Sequence, residues 1–145
     1  MFWLCCGSKL NNIDYDNTIP FIPNFSKCKV VKVYDGDTIT VAAYLKGNPQ
    51  CYRFSVRLRG IDSPEIRTKN ESEKAAAILS RDQLLVKILH KIVYLKNIGK
   101  EKYGRLLADV FYNDVNISTW MIDNKLAVEY DGGKKLAFEE NKNSI

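Results

Sequence analysis

Three short segments of this 145-residue chain concentrate side chains able to act on a phosphate. They are Asp35-Gly36-Asp37-Thr38, the stretch from Arg57 through Asp62-Ser63-Pro64-Glu65, and Lys102-Tyr103-Gly104-Arg105. Singly, each has an ordinary structural explanation: Asp-Gly makes a turn, Ser-Pro ends a strand and Tyr-Gly-Arg is common in loops. Together they hold what splitting a phosphodiester requires. Such a diester repels hydroxide and gathers further negative charge on its oxygens in the transition state, so hydrolysis needs fixed positive charge and a base. Asp37 and Asp62 are hard oxygen donors suited to Ca²⁺ or Mg²⁺, and the Ser63 backbone carbonyl can add a third protein ligand, leaving the other positions to water and substrate. Glu65 lies three residues beyond Asp62 and past a rigid proline, a placement suited to a general base. Arg57 and Arg105 can each offer paired N–H donors to the equatorial phosphate oxygens.

The elements that must hold these residues follow from periodicity. Val30, Val31 and Val33 lead into Asp35-Gly36, a strong hairpin signal, after which Ile39, Val41 and Ala43 alternate with threonines. Gly47-Asn48-Pro49 breaks this second strand. A third is expected from Cys51 to Ile61, with Phe54, Val56 and Leu58 on one face and Arg53, Ser55, Arg57 and Arg59 on the other. Ser63-Pro64 stops it. A long helix is expected from about Glu71 to Lys91, its core stripe being Ile78, Leu85 and Leu89. His90, the single histidine, then has a packing or surface role on that helix. Strands at Ile92–Lys96 and Leu106–Tyr112, a turn at Asn113-Asp114, a short helix near Ile117–Asn124 and a further short helix in the tail after Gly132-Gly133 complete the reading. The sum is an α+β fold, a small antiparallel barrel with helices packed outside.

Composition bounds the rest. Hydrophobic residues at 46% and charged residues at 27% are ordinary for one globular domain and exclude disordered, collagenous and coiled-coil classes. No apolar run approaches the roughly 20 residues a bilayer requires. A surplus of 22 Lys and Arg over 17 Asp and Glu, +5 in net charge, favours anionic partners, nucleic acid first. Cys5, Cys6, Cys28 and Cys51 show neither zinc-site spacing nor disulfide density, so free thiols are expected. Residues 1–27 read as an extended arm and 28–145 as the domain. No signal peptide is evident at the N-terminus, and an intracellular, cytoplasmic location is expected. Adjacent Cys5 and Cys6 beside Phe2, Trp3 and Leu4 offer acceptors for reversible acylation and hence membrane association, although a short apolar end that packs on the barrel or is disordered is the preferred reading. No obligate protein partner is evident.

The ordered series Asp-Gly-Asp-Thr, Arg-x-x-x-x-Asp-Ser-Pro-Glu and Lys-Tyr-Gly-Arg resembles the motifs of the staphylococcal nuclease (thermonuclease) family, from about Lys29 to Tyr130. The resemblance implies a five-stranded OB-fold barrel with about three packed helices and a metal-dependent endonuclease acting on DNA, RNA or both with little base specificity. It further implies Ca²⁺ as cofactor, with Mg²⁺ or Mn²⁺ as alternatives, and products bearing a 3′-phosphate. Asp37, Asp62 and the Ser63 carbonyl then correspond to metal ligands, Glu65 to the base, and Arg57 and Arg105 to the phosphate-stabilising arginines. Lys102 and Tyr103 correspond to nucleotide-phosphate contacts, and Asp35 to a carboxylate near the metal, reached through water. Ser63 stands where threonine is common, and Arg59-Gly60 where the bacterial secreted enzyme is apolar; Arg59 is read as solvated. Tyr130 falls close to a tyrosine that stacks near the nucleotide, with a core or surface aromatic as an equal account. The rival function is a catalytically silent nuclease-like OB domain that binds nucleic acid or protein. Such domains typically lose the acidic and arginine positions that this chain retains.

Overall fold

In the computed structural model, which describes residues 9–138, Val30, Val33, Ile39 and Val41 all point into the core. They belong to strands β1 (Lys27–Val33) and β2 (Thr38–Tyr44), antiparallel across the Asp35-Gly36 turn. A register shift between Val30 and Lys32 marks a bulge, which bends β1 as a small barrel requires. Strand β3 (Cys51–Leu58) pairs with β2 from Thr38 opposite Arg57 to Tyr44 opposite Cys51. After β4 (Ile61–Asp62) and helix α1 (Glu71–Ile88), β5 (Ile92–Lys100) and β6 (Leu106–Tyr112) form a second hairpin. Strand β5 pairs with β1, and β6 runs parallel to β3 with Arg57 opposite Leu107. The order β3-β2-β1-β5-β6 therefore closes on itself into a five-stranded, OB-like α+β barrel without a free edge.

Asn113 and Asp114 both adopt positive φ (50° and 62°), the two-residue turn that leads β6 into β7 (Val115–Asn116). Helix α2 (Ile117–Asp123) follows, capped by the Asn116 side chain, which accepts from the Ser118 and Thr119 amides. Strand β8 (Val128–Glu129) then pairs antiparallel with β4.

Several expectations are corrected. The third strand does not run to Ile61: the chain turns at Gly60 (φ +85°), and Ile61-Asp62 start a separate ribbon with β8. Helix α1 stops at Ile88, three residues early, and His90 lies beyond it, exposed in the left-handed region (φ 63°), its amide donating to the Val30 carbonyl. The buried face of α1 is Ala77, Ser80, Leu84 and Ile88, whereas Ile78 is exposed and Leu85 and Leu89 are half-buried. The apolar residues of this helix are scattered around it among charged ones and form no single stripe, so its rotation is decided by fit. The small Ala77 and Ser80 let it approach the β1–β2 turn closely. Strand β5 is longer than expected, with an irregularity between Lys96 and Gly99. Among the described residues two helices, not three, pack on the barrel, since residues 131–138 of the tail hold no helix.

Upstream of β1, Phe25 stacks on Phe54 with ring centroids 5.0 Å apart, and Ser26 exchanges hydrogen bonds with Leu95. Cys28 is a buried free thiol, pushed up to about 12 by burial, and Cys51 an exposed one. Cys5 and Cys6, offered as alternative acylation acceptors, lie outside the described residues, as does the apolar end they belong to. Among the described residues no helix is long and apolar enough to cross a membrane.

Candidate active site

One cavity of about 160 Å³ is lined by Asp35, Asp37, Arg57, Ser63, Pro64, Glu65, Arg105 and Lys135. It lies where the β1–β2 turn, the end of β3, the segment after β4 and the start of β6 converge. Gly36 makes that convergence possible. A Cβ there would stand 2.7 Å from the Ser63 Cβ and collide with the Ser80 hydroxyl of α1, so only glycine lets helix, turn and Ser63 segment meet.

The turn presents its two carboxylates differently. Asp35 Oδ1 accepts the Asp37 amide at 3.1 Å, closing the turn. Asp37 is buried, with Oδ2 accepting the Ser63 amide at 3.0 Å and Oδ1 accepting the Thr38 hydroxyl at 2.9 Å. Burial opposes its charge, yet the Ser63 amide, the Arg57 guanidinium and the Thr38 hydroxyl together hold Asp37 below the usual carboxylate range. Asp35 has fewer such donors. Its own burial and the neighbouring Asp37 charge push it up to about 6.

Arg57, also buried, connects the carboxylates: Nη2 stands 3.2 Å from Asp62 Oδ1 and 3.6 Å from Asp37 Oδ2. Its guanidinium lies over the Tyr130 ring, 5.2 Å from the centroid. Arg105 reaches the cavity from the β5–β6 loop. Glu101 grips it with both carboxylate oxygens, at 2.7 Å from Nε and 3.1 Å from Nη2, while Nη1 donates to Thr38 Oγ1 at 3.0 Å. A relay Arg105–Thr38–Asp37 thus ties the third motif to the first.

Glu65 is exposed, and its Oε1 meets Lys135 Nζ at 3.0 Å. Lys135 also stands 3.1 Å from Asp62 Oδ1. Partial burial works against the ammonium, but its bonds to Glu65 and Asp62 push it up to about 12. The structure therefore assembles Asp35, Asp37, Arg57, Asp62, Ser63, Glu65 and Arg105 at one place. Lys102 and Tyr103 are not among the lining residues; they lie side by side on the exposed loop, Nζ 5.7 Å from the ring centroid. Arg59 is not merely solvated: Nη2 donates to the Asn97 and Leu107 carbonyls, closing strands instead of facing the cavity. Sequence reading missed Glu101 and Lys135. The i,i+4 spacing of Glu101 and Arg105 was a usable signal for the first, whereas no local signal pointed to the second.

The donors fit a hard divalent cation. Asp35, Asp37 and Asp62 bring only carboxylate oxygens, which suit such an ion. Among the described residues no three or more His, Cys, Asp and Glu side chains are grouped so as to hold a metal ion by themselves, so a bound ion would need further ligands from backbone carbonyl, water or substrate.

The family model described as staphylococcal nuclease homologue matches residues 55–144, which takes in Arg57, Asp62, Glu65 and Arg105. An uncharacterized endonuclease of Haemophilus influenzae is 37% identical over 108 residues, covering 71% of this chain and 52% of that protein. A staphylococcal-like nuclease of Arabidopsis thaliana is 31% identical over 93 residues, covering 62% of this chain and 27% of that protein. The chain spans about half or less of the length of these curated relatives. Asp35 and Asp37 precede the matched stretch, and it is the barrel that brings them to it. With the match covering more than half of its length, this chain belongs to the staphylococcal nuclease homologue family.

Proposed function

We propose that the chain is a Ca²⁺-dependent endonuclease that hydrolyses phosphodiester bonds of DNA and RNA with little base specificity. The observation that carries this reading is the convergence of two arginines with Asp35, Asp37 and Glu65 around one cavity, with Asp62 paired to Arg57. Asp37, Asp62 and the Ser63 carbonyl would hold the cation, with Asp35 close by through water. The cation, when bound, supplies positive charge to the phosphate and acidity to water.

The chain's own residues do the remainder. Arg57 and Arg105 bind the non-bridging phosphate oxygens, and both are pre-oriented, one by Asp62 and Tyr130, the other by Glu101 and Thr38. Glu65 takes a proton from the attacking water as its oxygen bonds to phosphorus. The bond from phosphorus to the 5′-oxygen breaks, that oxygen is protonated from solvent, and the phosphate stays on the 3′ side. Lys102 and Tyr103, exposed on their loop, contact the neighbouring nucleotide. Base selectivity is low because every group engages phosphate, which carries no sequence information. Incubation of plasmid DNA and of RNA with Ca²⁺, Mg²⁺ or excess chelator, with analysis of the cut ends, tests the reading. Cleavage in Ca²⁺ leaving 3′-phosphate ends, and none in chelator, is expected; full activity in chelator rejects the metal.

A further inference from the structure

The tail beyond β8 delivers to the cavity a cation that none of the three motifs contains. Lys135 Nζ bridges Glu65 Oε1 at 3.0 Å and Asp62 Oδ1 at 3.1 Å, and that same Asp62 oxygen meets Arg57 Nη2 at 3.2 Å. A continuous line Glu65–Lys135–Asp62–Arg57 thus joins the base to an arginine assigned to the phosphate. The approach of the tail is fixed by its surroundings. Val128 of β8 pairs with Asp62 of β4, and the Tyr130 amide donates to the Gly60 carbonyl at 3.0 Å. The Tyr130 ring lies under Arg57, and its hydroxyl donates to the Gly133 carbonyl at 2.8 Å, folding the chain back toward the cavity.

Glu65 needs such support. Its side chain is 60% exposed, and among the described residues Lys135 is the hydrogen-bond partner of its carboxylate. A free glutamate at the surface samples many rotamers, and each one that turns away from the phosphate is unproductive. An exposed ion pair adds little stability, so the consequence of this bridge is orientation.

Resting on the nuclease reading, we propose that Lys135 is a positioning residue that holds the Glu65 carboxylate against Asp62, so that the base faces the phosphate bound by Arg57 and Arg105. Steady-state cleavage of a short oligonucleotide by wild type, Lys135→Met, Lys135→Gln, Lys135→Arg, Glu65→Gln and the Lys135→Met/Glu65→Gln double variant tests it. Both neutral variants are expected to lower kcat about 10-fold with KM within about threefold, a smaller loss than removing the base itself, and Lys135→Arg to recover most of it. In the Glu65→Gln background the lysine change should have no further effect. Calcium affinity by calorimetry should be unchanged, because the lysine and the cation share Asp62 without excluding each other; weaker binding marks general damage to the site, and tighter binding shows that the ammonium competes with the cation for Asp62, and either result overturns the role. A rise in kcat shows that the ammonium obstructs the base, a loss confined to KM shows a substrate contact, and an equal loss without Glu65 shows independent action; each overturns the proposal. A wild-type protein that leaves nucleic acid uncut in Ca²⁺ removes the nuclease reading and this inference together. An active wild type beside unaffected Lys135 variants removes the inference alone.

Discussion

Asp35 and Asp37 are two residues apart in one turn and carry opposite shifts. Asp37 receives the Ser63 amide, the Arg57 charge and the Thr38 hydroxyl, which outweigh its burial, whereas Asp35 is raised by burial and then by the neighbouring Asp37 carboxylate. Raised to about 6, Asp35 binds its proton more tightly in the folded chain than in the unfolded one, so its ionisation weakens the fold as pH rises from about 4 through about 6. Asp37, shifted the other way, contributes stability above the ordinary carboxylate range that is lost as pH falls below it. An Asp35→Asn change keeps the oxygen that accepts the Asp37 amide and removes the charge. In chelator it should raise the thermal midpoint at pH 7.5 and lose most of that gain at pH 4. Melting curves of both proteins at the two pH values check this, and an equal gain at both assigns the effect to something other than charge.

At the scale of elements, the site depends on the contact of α1 with the β1–β2 turn. Gly36 faces Ser63 and Ser80, and the buried Ser80 hydroxyl has no hydrogen-bond partner among the described residues. The helix therefore gives up a hydrogen bond to come this close. A methyl group at position 36 overpacks the junction, at a cost of about 1–3 kcal/mol. Moving the turn away from Ser63 also strips Asp37 of its amide donor. Gly36→Ala is thus expected to lower both stability and kcat, as denaturant titration and cleavage assays would report. A variant as stable and as active as wild type would mean that the turn has more room than the structure shows.

The whole molecule carries +5, and part of it is arranged by the barrel. Lys29, Ala42 and Arg53 share one row across β1, β2 and β3, and Lys27 faces Tyr94 across β1 and β5, so exposed cations and an aromatic occupy one outer surface. Under the proposed nuclease function, phosphates bound there and at Arg57 and Arg105 would release counterions. KM for a single-stranded oligonucleotide should therefore rise with salt, with a log–log slope of about 1 to 3 if two to four phosphates are engaged. Assays from low to moderate NaCl at saturating Ca²⁺ measure it; a flat response would confine recognition to uncharged contacts.

What the sequence determined by itself was everything set by neighbours along the chain. Asn113-Asp114 made a turn because few residues accept its positive φ, Asp35-Gly36 made one because the Asp35 side chain accepts the Asp37 amide, strands β1, β2, β3 and β6 followed from alternation, and the motif residues at the cavity, with Asp62 paired to Arg57, came from three short segments. Tertiary structure decided what depends on groups distant in sequence. The barrel closes through parallel β3–β6 pairing, and α1 buries Ala77 and Ser80 because of a glycine far upstream. Arg59 is bound to carbonyls 38 and 48 residues away, and Glu65 is held by a lysine 70 residues on. No local periodicity encodes such partners, because an arginine or lysine in a polar segment has the same sequence signature whether it faces water, a carbonyl or a catalytic carboxylate.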